Sequence, residues 1–235
     1  MANVELTHRN GVAIVTLNRP PVNALELTIV EELHDKLDEA VRSPARAVVL
    51  TGSGSCFSAG LDVKVVPHYP ADKRRRVIMA INRTVHRLYG VAKPVVAGVN
   101  GHAIGGGLVL SLACDMRIAA DGESRLGLTE VRVGVPFPAV PMMVVQAELD
   151  CNAARDLSLS GRVVHPREAH QMGLIDEVNA SDTLIERTCD LALSLASGPV
   201  YAEVKHQLRA RAMARMAQAI ADETDPMLEF TLPTQ

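Results

Sequence analysis

The chain reads as an α/β protein with a largely covered sheet and a helical C-terminal region beginning near residue 180. Two patterns predict this. Apolar runs of strand length alternate with helically spaced apolar residues, and strand alternation fades from about Val140 onward. Residues 12–17 and 47–50 read as strands. Between them Leu27, Val30, Leu33, Leu37, Ala40 and Val41 recur at helical spacing, and Pro44 closes that helix. Residues 94–99 give the next strand, 108–113 a helix, and 116–120 another strand. The alanine-rich stretches 184–196 and 200–221 are helices, interrupted afterwards by Asp225-Pro226 and Pro233. The chain is therefore divided into a core, 1–180, and a helical region, 181–235.

Composition narrows the function classes. With 235 residues, 48% hydrophobic and 22% charged, the chain can bury a large core and lacks a disordered signature. A net charge of −3 argues against bulk attraction to nucleic acid or to an anionic membrane. No apolar stretch is long enough to span a bilayer, no signal peptide is expected ahead of Met1-Ala2-Asn3, and a cytoplasmic location is the expectation that fits. Cys56, Cys114, Cys151 and Cys189 are scattered, which argues against a zinc ribbon or disulfide framework. His165 and His170, five apart across Pro166, read as surface or capping residues, and no metal is expected. The run Lys73-Arg74-Arg75-Arg76 is either a solvated helix face or a set of charges for the phosphates of a large anionic cofactor.

Two segments carry the chemistry. Phe57-Ser58-Ala59-Gly60-Leu61-Asp62 and Asn100-Gly101-His102-Ala103-Ile104-Gly105-Gly106-Gly107 can each present a bare backbone N–H. The second joins a strand to a helix, so Gly106 would stand at a helix N-terminus, with free donors and a positive dipole end. Two such donors aimed at one point form an oxyanion hole.

These segments, in order with Asn23-Ala24-Leu25, Cys114-Asp115, Gly127-Leu128-Thr129-Glu130 and Leu159-Ser160-Gly161, closely resemble the crotonase superfamily, or enoyl-CoA hydratase/isomerase family. The resemblance spans roughly residues 4 to 220. It implies a spiral of ββα repeats, a C-terminal helical region that helps form a homotrimer or a dimer of trimers, and an acyl-CoA thioester as substrate. Coenzyme A then enters with the substrate, and no further cofactor is implied. The resemblance assigns the oxyanion donors to the N–H groups of Leu61 and Gly106. It places Ala59, Leu61, Asp62, Val63 and Lys64 along the CoA-binding stretch, with Asp62 open to a second reading as a helix cap.

An enolate site needs a base, and the resemblance puts it at Glu130. Flanking Val131 and Val133 would raise its pKa. Val109 is the departure. Hydratases of the family usually carry a second glutamate there, and valine can neither hold water nor shuttle its proton. One carboxylate suffices to move a proton from C2 to C4, so a 3,2-enoyl-CoA isomerase is expected. The alternatives are a hydratase or hydrolase of the same family, or a catalytically weak acyl-CoA-binding trimer. The proline-rich stretch 134–141 replaces a glycine-rich turn and should reshape the acyl pocket. A terminal helix that covers the site in longer relatives is expected to be short or missing.

Overall fold

The computed structural model describes residues 2–230; Pro233 lies outside them. The chain runs through β1 (Val4–Arg9), β2 (Val12–Leu17), α1 (Leu27–Arg42), β3 (Ala47–Gly52), β4 (Cys56–Ser58) and α2 (Ala71–Tyr89). It continues with β5 (Val95–Val99), β6 (His102–Ile104), α3 (Gly106–Leu112), β7 (Met116–Ala120), β8 (Leu126–Gly127) and α4 (Glu130–Val133). Then follow α5 (Ala139–Glu148), α6 (Cys151–Ser160), β9 (Val163–Val164), α7 (Pro166–Gln171), β10 (Glu177–Asn179), α8 (Leu184–Leu195) and α9 (Tyr201–Ala221). Short 3₁₀ turns occupy Val66–His68 and Pro226–Leu228.

Strands alternate between two sheets. One has the order β1-β2-β3-β5-β7-β10, the other β4-β6-β8-β9. Each of β3-β4-α2, β5-β6-α3 and β7-β8-α4 sends its first strand to the large sheet and its second to the small one, which is the ββα repeat the resemblance implied. Pairing from β2 through β10 is parallel, so both faces need cover. The side chains sort by parity. Val48, Leu50, Val95 and Ala97 face a large core with α1, α2 and α3, while Ala47, Val49, Val96 and Ile118 face Leu184, Cys189 and Ala192 of α8.

The predicted helical region beyond Val140 is broken by two short strands. Glu177-Val178-Asn179 offers one apolar residue, too little for a strand signal, yet it closes the large sheet beside β7. The contact Asp176 N–H to Arg117 O at 2.9 Å, answered by Arg117 N–H to Asp176 Oδ2 at 2.7 Å, sets its register.

The last long helix, α9, docks through charge. Lys205 Nζ and Arg209 Nη1 lie 2.7 and 3.0 Å from Asp115 Oδ1, and the Tyr201 hydroxyl donates to Asp115 Oδ2 at 2.8 Å. Arg209 also donates to Cys114 O at 3.0 Å, Ala113 O at 3.4 Å and Tyr89 O at 2.8 Å, with its guanidinium 3.8 Å above the Tyr89 ring. Both cations are buried, and Arg209 Nη2 also lies 3.6 Å from Glu148 Oε1, so removing Asp115 would strand Lys205 and leave Arg209 with Glu148 as its remaining counter-charge.

Candidate active site

The first donor is exposed by strand alternation. Leu25 N–H reaches Gly60 O at 2.7 Å, and Asp62 N–H reaches Leu25 O at 2.8 Å, which pairs Leu25 with Leu61 as a parallel bridge. The Leu61 N–H therefore points to the opposite side, where it donates to no acceptor among the described residues. Gly106 is the first residue of α3, so its N–H has no intrahelical partner; Gly105 N–H just before it is taken by Gly127 O at 2.8 Å. The two donors adjoin. A methyl group built on Gly60, at φ +73°, would fall 2.8 Å from Gly106 N and 2.6 Å from Ile104 O, so only glycine allows the approach.

Asn23 organises this loop from below. Buried at φ 50°, its amide donates to Cys56 O at 2.7 Å and Ser53 O at 3.1 Å, while its Oδ1 accepts Arg19 N–H at 2.9 Å. Ser58, also buried, donates from its hydroxyl to Asn23 O at 2.8 Å. Asn23 appears in the family pattern, but sequence reasoning gave it no task.

Glu130 opens the short helix α4 beside Gly105. A methyl group on Gly105 would lie 2.9 Å from Glu130 Oε1. Its Oε2 is enclosed without a hydrogen-bond partner among the described residues, and burial pushes the carboxyl up to about 7. Leu61, Gly106, Val109 and Glu130 all line one apolar pocket, walled by α1, α2, α3, the proline-rich segment before α5, and Met227. Among the described residues Glu130 is the only ionisable group in that wall. Val109 lines it, fully buried, from the first turn of α3.

Ala59, Asp62, Val63 and Lys64 lie outside this wall. Ala59 N–H is held by Val22 O at 2.9 Å, and Val63 packs half-buried against the core. The Asp62 carboxylate is engaged by Arg19 Nη1 at 2.8 Å and by Lys64 N–H at 3.2 Å, and its carbonyl accepts Val65 and Val66 N–H ahead of the 3₁₀ turn. The basic run is similarly occupied: Lys73 lies over the Tyr69 ring, Arg74 donates to Tyr69 O, and Arg75 and Arg76 pair with Glu223 and Glu31. A helix-face role fits these contacts. His165 stands at the N-terminus of α7 and His170 Nδ1 lies 3.0 Å from Ile175 O. The described residues contain no cluster of three metal-ligating side chains and no helix long and apolar enough to cross a membrane.

Sequence reasoning missed the cover. The 3₁₀ turn Pro226–Leu228 places buried Met227 in the pocket wall, and Asp225 anchors it by accepting from Asn82 Nδ2 at 2.6 Å, Ala139 N–H at 2.7 Å and Met227 N–H at 2.8 Å. The available signal was Asp-Pro after a helix, a capping pair.

A family model described as enoyl-CoA hydratase/isomerase matches residues 7–232. A Thermus thermophilus protein with an enoyl-CoA hydratase name is 40% identical over 201 residues, which cover 83% of this chain and 78% of the relative. The human mitochondrial Δ3-Δ2-enoyl-CoA isomerase has a similar structure, with a TM-score of 0.88 at 27% identity over 94% of this chain and 89% of that one. An enoyl-CoA hydratase from Bacillus anthracis gives 0.81 at 29% identity, over 94% and 90%. Hydratase and isomerase names both occur among these relatives, and what the solved structures share with this chain is the fold. By that match across nearly its whole length, the chain belongs to the enoyl-CoA hydratase/isomerase family of the crotonase superfamily.

Proposed function

We propose that the protein is a 3,2-enoyl-CoA isomerase with Glu130 as its single base. The observation that carries this is the pocket wall, in which Glu130 is the only ionisable group among the described residues and Val109 is fully buried. The thioester oxygen of a 3-enoyl-CoA accepts from the Leu61 and Gly106 N–H groups. Charge moving onto that oxygen makes C2 acidic, each donor contributing on the order of 3 kcal/mol in a dry site. Ionised Glu130 removes the C2 proton and the electron pair spreads over the dienolate. The protonated carboxyl then returns the proton to C4, leaving the double bond between C2 and C3. A carboxyl that titrates near neutral pH can perform both halves.

Hydration is the second reading, favoured by the hydratase names among the relatives. It needs a group to hold and deprotonate water beside Glu130, and Val109 offers none. Incubation with matched 3-enoyl- and 2-enoyl-CoA separates the two: a shifted double bond at constant mass supports isomerisation, whereas gain of water from 2-enoyl-CoA at a comparable rate overturns it. Release of free CoA would indicate a hydrolase, and binding without turnover an acyl-CoA-binding protein.

The proposal includes a cytoplasmic homotrimer or dimer of trimers. Exposed Val200, at the N-cap of α9, and Val204 and Leu208 in its first turns recur at four-residue spacing and offer a contact stripe. Light scattering that gives a monomer at micromolar concentration would exclude the assembly.

A further inference from the structure

The acyl pocket has one polar side chain besides Glu130. Thr84 on α2 is 2% exposed and lines the pocket together with Val30 and Leu33 of α1 and Ile81 and Val85 of the same helix. It also lines a separate surface depression on the other side, formed by Glu31, His34, Asp35, Ala80 and Arg83. The wall between the apolar pocket and this charged depression is therefore one side chain thick at Thr84. Its hydroxyl is directed to α1, 3.3 Å from Val30 O and 3.4 Å from His34 Nδ1. With the hydroxyl spent there, Thr84 meets the pocket as a small hydrocarbon stop.

We infer that Thr84 closes the far end of the acyl pocket and sets the longest acyl chain the site accepts, an assignment that rests on the acyl-CoA reading above. The donors and Glu130 gather where Leu61 and Gly106 meet, whereas Val30, Leu33, Ile81, Thr84 and Val85 come from the α1–α2 pair. A chain fixed by its thioester at the first group must grow toward a wall. Beyond Thr84 lie charged side chains, so a chain cannot pass without displacing the threonine and exposing methylenes to a polar surface. Smaller residues at position 84 move the stop outward; larger ones move it inward.

The test is a series of 3-enoyl-CoA substrates from hexenoyl to dodecenoyl, with binding of the matching saturated acyl-CoA thioesters measured by calorimetry. The wild type should show a sharp fall in kcat/KM beyond one chain length. Thr84→Ala should raise the ratio of kcat/KM for the first excluded chain over hexenoyl by roughly tenfold, the scale of one methylene in a shaped pocket. Thr84→Leu should lower the corresponding ratio for the longest accepted chain by a similar factor, and isosteric Thr84→Val should leave both ratios as they are. If Thr84→Ala proves unstable, Thr84→Leu and Thr84→Val still decide. Unchanged ratios in the alanine and leucine variants overturn the assignment while the enzyme reading stands. Saturated thioesters that bind without turnover of the enoyl series overturn the isomerase reading, and the affinity ratios then report on Thr84. No binding by any member overturns both.

Discussion

Asn82 and Asp225, 143 positions apart, share a buried 2.6 Å hydrogen bond that joins the middle of α2 to the segment after α9. The same Asp225 oxygen accepts Ala139 N–H at the start of α5, and Asn82 Oδ1 accepts Val140 N–H at 3.1 Å. One carboxylate thus fixes three segments around the pocket and holds Met227 in its wall.

Asp225→Ala should cost about 2–4 kcal/mol, because Asn82 and two backbone donors lose an acceptor inside the protein. Freed Met227 should loosen the pocket, so KM is expected to rise more than kcat falls. Thermal melts with steady-state kinetics check both, and an unchanged KM would separate the anchor from the pocket.

Glu130→Gln keeps shape and removes basicity. Turnover should fall by about 10² to 10⁴, and solvent deuterium exchange at C2 with it. In the wild type the free enzyme needs ionised Glu130, so kcat/KM should rise as pH increases through about 7. Stability runs the other way. An unfolded glutamate releases its proton near 4.5, whereas the folded one holds it to about 7, so the native state binds the extra proton between those values and loses stability as pH rises across them. The glutamine variant should be the more stable protein above about pH 7, by on the order of 1–3 kcal/mol, and the difference should vanish below about 4.5.

Gly106→Val tests the donor pair. A Cβ at this position meets Leu25 Cδ1 at 3.4 Å and stands 3.8 Å from Leu61 N, so the backbone can tolerate it while the side chain covers the neighbouring donor. Turnover should drop by at least about 10² with the melting temperature little changed. Thioester binding with an unshifted carbonyl stretch in both proteins would place the oxygen elsewhere.

Val109→Glu should add a weak hydration of 2-enoyl-CoA at some expense in melting temperature. The new carboxyl would be buried in a wall that already holds Glu130, raising at least one pKa and favouring a singly protonated pair. Product analysis by mass decides the outcome. A wild type that already hydrates as fast as it isomerises would overturn the one-carboxylate reading of the pocket.

Much of this architecture was legible locally. The strands at 12–17 and 116–120 match residue for residue, since each is an apolar run bounded by turn residues and buried on both faces. The donor segments were legible because glycine spacing is itself a steric statement. What stayed hidden depends on partners distant in sequence. Strands β4 and β6 are three residues long and exist through pairing with each other and, for β6, with β8. Thr84 reads as one polar position in a helix, and only the pocket on one side and the depression on the other give it meaning. Tyr201, Lys205 and Arg209 stand four apart in an alanine-rich helix, and only Asp115 packed beneath them gives that spacing a task.

That buried cluster governs what can be exchanged between relatives. Arg209 occupies the carbonyls after the last turn of α3, while the first residue of the same helix presents the Gly106 donor. A seven-residue helix is about 10 Å long, so a cation at its tail and the oxyanion proposed at its head would share one dipole. The last long helix is consequently not a portable cassette. A chimera that grafts another relative's C-terminal helices onto this core must also carry residues able to neutralise Asp115, or it will inherit a reaction centre whose supporting charge has been left behind.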